Sequence, residues 1–180
     1  MINLRVERKR ASYEFKIDPH KPDSFANNGK NNSLDRIIIR DDTRELARFP
    51  CQTVANYCFG GQASASSLPW GDTVAAGSFT VRAFVPQRAF HGEIHAITQT
   101  RDLDGEWIDH NAMQTTRGGF QNGRWLIHDR FSFKTGADTR RAWSAGCFIL
   151  SSRDLAAFNE ALRACGVKPG DLIPGTLIEE

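Results

Sequence analysis

The strongest constraint on this chain is its rhythm of short apolar runs separated by turn-forming residues. DRIIIRD, beginning at Asp35, is a β-branched run suited to a buried strand. SFTVRAFVP follows with apolar residues at Phe79 and Val81 and, after a skip, at Phe84 and Val85. EIHAITQT alternates Ile94, Ala96 and Thr98 against His95, Ile97 and Gln99, and RWLIH and GCFIL are two further compact strands. GGQASASSLPWGD reads as loop, and so does DPHKPDSFANNGKNNS from Asp18 to Ser33, with a lone edge strand before it around Ser12 to Ile17. Only the segment from Ser152 to Cys165 has a helical period. Ser151 is placed to cap it with Asp154 three residues on, Leu155, Phe158, Leu162 and Cys165 share one stripe, and Gly166 supplies the stop. A mainly β domain with one late helix is expected.

Composition narrows the class. The 180 residues are 40% apolar with twelve Phe, enough for a core in a domain that hides about two-thirds of its unfolded surface. Lys and Arg number 23 against 21 Asp and Glu, a balance that argues against nucleic acid as a partner. No apolar stretch reaches the ~18 residues of a transmembrane helix. The opening MINLRVERKRASYEFKI lacks the apolar run and cleavage site of a secretory signal, so synthesis in the cytoplasm is expected, with any work outside needing another export route. Cys51, Cys58, Cys147 and Cys165 show no zinc-like pairing, and a chain this long needs no disulfide staples, so they read as thiols.

The segment LIHDRFSFKTGADTRRAWSAGCFIL carries the chemistry. His128 ends one strand, and Ser144-Ala145-Gly146-Cys147 leads into another. A thiol is a strong nucleophile only as thiolate, so it needs a nearby base, and a histidine facing it across two strands supplies one. Gly146 lets the backbone approach substrate, and the N–H groups of Gly146 and Cys147 are candidates to hold an oxyanion. Ser144 is suited to bonding the loop or the imidazole.

This pattern resembles the L,D-transpeptidase signature, a histidine followed after a mid-teens gap by Ser/Thr-His-Gly-Cys. His128, Ser144, Gly146 and Cys147 match by residue and spacing. Upstream, LPWGDTVAAGSFTV resembles the family's Pro-x-Gly-x-Tyr/Phe strand, and GVKPGDLIPGTLIE resembles its closing Gly-x-x-Val-x-Ile strand. The likeness runs from about Leu68 to Glu180. It departs at Ala145, where the family has histidine, at FILSS, which lacks the Arg or Asn that follows the cysteine, and at Asp129, where the family has a small residue.

The resemblance implies a mixed-sheet domain, sandwich- or barrel-like, over residues 34–180, with residues 1–33 as an N-terminal extension of edge strand and loop. It implies acyl transfer on peptidoglycan stem peptides through a Cys147 thioester, resolved by an amine (transpeptidase) or by water (carboxypeptidase or endopeptidase), with no metal or organic cofactor. A thiolate–imidazolium pair would do the work. In the family the backbone carbonyl after the base orients it. Asp129 holds that position, and its carboxylate either adds to or replaces that role, or makes an exposed ion pair with Arg130. Trp143 is a candidate cleft wall, and Arg141 or its neighbour Arg140 a candidate partner for a substrate carboxylate. Action at the cell wall follows, as a delivered toxin, a phage-type lytic enzyme or a non-classically exported protein.

Three other readings compete with this one. A catalytically silent module of a phage or secretion particle accommodates Ala145 and the missing arginine. Papain-like peptidases place cysteine before histidine, the reverse of the order here. His91, His95 and His110 with Glu93 contain metal-ligand types, but Gly92 and the flanking strand residues oppose a helical zinc motif. Cys51, Cys58 and Cys165 read as packing residues.

Overall fold

A computed structural model describes residues 1–9, 17–18, 21–25, 35–54, 73–85, 93–100, 111–116, 118–122, 125–129 and 146–180, the second and third segments by backbone alone. Their strands are β1 (Ile2–Arg8), β2 (Ile17–Asp18), β3 (Lys21–Phe25), β4 (Arg36–Asp41), β5 (Arg44–Pro50), β6 (Gly77–Val85), β7 (Ile94–Thr98), β8 (Ala112–Gln114), β9 (Phe120–Asn122), β10 (Leu126–His128), β11 (Phe148–Ile149) and β12 (Leu172–Glu179). One helix among the described residues, α1, spans Ser152–Ala164. The mainly β expectation with a late helix holds. Ser151 caps α1, its Oγ accepting from the Asp154 N–H at 3.1 Å.

Eight strands form one mixed sheet in the order β11-β10-β7-β6-β12-β1-β4-β5, parallel at β10–β11 and β1–β12 and antiparallel elsewhere. Two of the expectations change here. Ile2–Arg8, grouped with an N-terminal extension, lies inside the sheet between β12 and β4. Its apolar positions Leu4 and Val6 are two residues apart among charges, a period-2 pattern that is weak alone but buries both side chains. The stretch read as loop from Asp18 contains β3, which pairs with β2 in a two-stranded hairpin. Pro22 within it is tolerated because every strand of a two-stranded sheet is an edge. Residues 12–16 lie outside those described.

The sheet curls until its ends meet. Two residues beyond β5, Gln52 exchanges backbone hydrogen bonds with Ile149 of β11 at the opposite end, each 2.8 Å long. Inside the curl lie Leu4, Val6, Ile37, Ile39, Val81, Ile97, Ile127 and Phe148, all essentially inaccessible. Phe79 of β6 reaches across this interior to Phe148 of β11, ring centroids 5.6 Å apart. Helix α1 fills the open side: Phe158 meets Phe49 of β5 edge-on at 5.6 Å and His95 of β7 at 5.3 Å. Burying a phenylalanine stabilises by about 2–3 kcal/mol, so these rings help tie distant strands together.

β12 carries Pro174 and Gly175 in mid-sheet, and each has a local reason. Pairing with β1 begins at Gly175, so Pro174 has a ladder partner only in β6. Gly175 is the cross-strand partner of Phe79, and a Cβ there would collide with the Phe79 ring. We therefore expect Gly175→Ala to lower stability by about 1–3 kcal/mol in urea titrations. Adding Phe79→Leu should recover part of that loss, since the two sites touch. Simple additivity of the two changes would contradict this packing.

Candidate functional site

β10 and β11 pair in parallel with Ile127 opposite Phe148 and His128 opposite Ile149. Opposed residues share a face, and successive residues alternate. Ile127 and Phe148 point into the curl, so His128 and Ile149 point outward. Cys147, two residues before Ile149, falls on the outward face with His128. Strand spacing and rise put their Cα atoms roughly 8 Å apart, one pleat along on the neighbouring strand, a span an imidazole and a thiol can bridge. The register thus places Cys147 one residue before β11, beside the strand that ends in His128. Gly146 directly precedes Cys147 at φ 141°, backbone that side-chain-bearing residues rarely adopt.

His128 is closed in. It exposes 6% of its surface, with Ile149 beside it on β11 and Ile94, the next step in the β10–β7 register, on its other side. Its Nδ1 lies 2.7 Å from the backbone oxygen of Asp129. A carbonyl only accepts, so Nδ1 carries the hydrogen and Nε2 carries the lone pair. Burial pushes the imidazolium pKa down from 6.5 to about 4, against the opposing pull of the Asp129 carbonyl. The ring is therefore neutral at pH 7, a base rather than a resting cation. Cys147 is half-buried against the edge of the core and, like Cys51 and Cys165, carries a thiol rather than a disulfide.

Asp129 is corrected in one respect. Its side chain is 2% exposed, which rules out a solvent-exposed ion pair with Arg130, and its main-chain carbonyl is what meets the ring. Ser144, Trp143, Arg141 and Arg140 lie outside the described residues, as do Cys58, His91 and His110.

His95, one strand away, has a different job. It is fully buried on the inward face; its Nδ1 accepts from the Phe84 N–H at 3.2 Å, so Nε2 donates to Asn159 Oδ1 at 2.7 Å. Both ring nitrogens are engaged, leaving none to bind a metal in this arrangement. Glu93 pairs with Arg163. No cluster of metal-ligating side chains occurs among the described residues.

A polar group missed in the sequence borders the site. Arg8 is buried with Asp35 and Thr53 next to Gln52, the residue that pairs with Ile149. Its one signal was parity: Arg8 continues the inward series Leu4, Val6, so an arginine occupies a core position.

Fold and site together define a mainly β domain, a curled mixed sheet with one helix among the described residues, in which His128 ends one strand and Cys147 immediately precedes the parallel strand beside it. The chain is 54% identical over 179 residues to a protein of Treponema pallidum (strain Nichols) described as an uncharacterized protein, covering 99% of this chain and 80% of the relative. It belongs to the same family as that protein. No family model and no solved structure matches it. No helix among the described residues is long and apolar enough to cross a membrane.

The two buried rings set a pH dependence. Burial lowers both His95 and His128 to about 4, below their ordinary 6.5. The unfolded chain therefore takes up protons between pH 6.5 and 4 that the folded chain refuses. Their contribution is complete above pH 6.5 and is lost as pH falls toward 4. Between pH 6.5 and 5 the expected loss is about 2 kcal/mol per histidine, read from urea midpoints. His95→Gln and His128→Gln should each flatten the slope, and an unchanged slope in either would contradict burial of that ring.

Proposed function

We propose that this chain is a cysteine-dependent acyl-transfer enzyme of the L,D-transpeptidase type, acting on the peptide stems of peptidoglycan at the cell wall. The observation that supports the reading is register and tautomer: β10 pairs with β11 so that His128 stands opposite Ile149, two residues after Cys147, and the Asp129 carbonyl holds a hydrogen on Nδ1, leaving the lone pair on Nε2. Nε2 takes the thiol proton as sulfur attacks the amide carbonyl. The tetrahedral intermediate collapses to a thioester, and the imidazolium returns its proton to the departing amine. An incoming amine or water then attacks the thioester and releases the thiol. Because the buried ring resists charging, the thiolate–imidazolium pair expected from sequence belongs to the reaction path rather than to the resting enzyme. N–H groups at Gly146 and Cys147 are suited to the oxyanion, each such donor lowering a barrier by roughly 3 kcal/mol.

A second reading, a silent module of the same fold, draws on Ala145 in the signature and on the 6% exposure of His128. One experiment separates the two. Purified protein is incubated with tetrapeptide and pentapeptide stems and the products are weighed. Loss of a terminal D-alanine indicates a carboxypeptidase, and a joined or exchanged stem a transferase. Cys147→Ser should abolish product, and His128→Ala should lower the rate about 10²–10⁴-fold. Turnover that survives Cys147→Ser ends the proposal. No product, together with a Cys147 thiol inert to iodoacetamide, favours the silent module.

A further inference from the structure

We infer that Thr53 is a positioning residue for Cys147, held by Arg8 and Asp35 and acting through the Gln52–Ile149 pairing. The inference rests on the reading of Cys147 and His128 as nucleophile and base. β11 is two residues long and stands at the end of the sheet order. β10 holds one of its sides, and on the other the backbone of Gln52 both gives and takes a hydrogen bond with Ile149. A two-residue strand has too few ladder bonds to fix its own register, so Gln52 helps set where Cys147 stands relative to His128.

Gln52 has no regular strand around it, and the next residue is pinned on every polar atom. Asp35 Oδ2 accepts from both the N–H and the Oγ–H of Thr53, at 3.1 and 2.6 Å. The Thr53 carbonyl accepts from Arg8 Nη2 at 3.0 Å and from the Thr73 hydroxyl at 2.7 Å, and its Oγ1 accepts from Arg8 Nε at 2.8 Å. The Asp35 carbonyl takes the Cys51 N–H at 3.1 Å, so the residues on both sides of Gln52 are tied to one buried group. Arg8 is anchored in turn by Glu179 Oε2 at 3.0 Å and the Val74 carbonyl at 2.8 Å. Asp35 Oδ1 accepts from the Lys9 N–H at 2.7 Å. Ionised groups make the stronger hydrogen bonds, and inside a protein they hold a single geometry. The coupling runs through contiguous bonds from Arg8 and Asp35, through Thr53 and Gln52, to Ile149 and Cys147.

The test follows iodoacetamide labelling of the Cys147 peptide by mass spectrometry across pH 6 to 9, with urea midpoints measured in parallel. Thr53→Val keeps the shape and removes the hydroxyl that joins Arg8 to Asp35. Labelling of Cys147 should slow at least tenfold, its pH profile approaching that of His128→Ala, and Thr53→Ser should restore both. Asp35→Asn is the second variant: its amide keeps one accepting oxygen and puts a donor where the other carboxylate oxygen accepts, and it should slow Cys147 labelling as Thr53→Val does. A lowered midpoint with unchanged Cys147 labelling overturns the inference alone, leaving a clamp that only stabilises. Wild-type labelling indifferent to His128→Ala overturns the nucleophile reading and the inference with it.

Discussion

The pairing of Gln52 with Ile149 is the contact on which the architecture turns. Two backbone hydrogen bonds join the segment leaving one end of the sheet to the short strand at the other. Because the sheet must curl for them to form, its inward side chains converge on a common interior rather than spreading over an open face. Phe79 can then touch Phe148 three strands away, and Phe158 can lie between Phe49 and His95. The same contact flanks β11 on the side opposite His128. Core and candidate site therefore share one closure.

Placing the charged clamp at this closure has a physical logic. An arginine and an aspartate in the interior are costly to desolvate unless their hydrogen bonds are satisfied, and removing one partner strands the others. Arg8 and Asp35 meet that requirement through Thr53, main-chain groups and Glu179. Such a network tolerates few alternative geometries, whereas an apolar patch of the same size would accept several.

Two histidines in adjacent strands illustrate how neighbours decide chemistry. Burial lowers both to about 4. His95 points inward, donates to Asn159 and accepts from Phe84, whose φ of 51° in an irregular stretch of β6 turns its N–H toward the ring. His128 points outward, and the Asp129 carbonyl assigns its hydrogen to Nδ1, which directs the lone pair of Nε2 away from the backbone. Residue type and depressed pKa are shared, and pleat parity separates a structural histidine from a candidate base.

What the sequence determined by itself was local. A β-branched run located β4 and alternation located β6 and β7; the Ser151 cap, the apolar stripe and Gly166 located α1; the spacing of His128 to Gly146 and Cys147 singled out the candidate site. Each depends on neighbours within a few residues or on a short motif, and such signals survive in one dimension. Tertiary structure alone decided that Ile2–Arg8 belongs inside the sheet and that Arg8 and Asp35 share a buried group with Thr53. Those outcomes follow from strand order and from which edges meet on closure. They join residues dozens of positions apart, and no periodicity along the chain encodes which distant partner satisfies a buried charge.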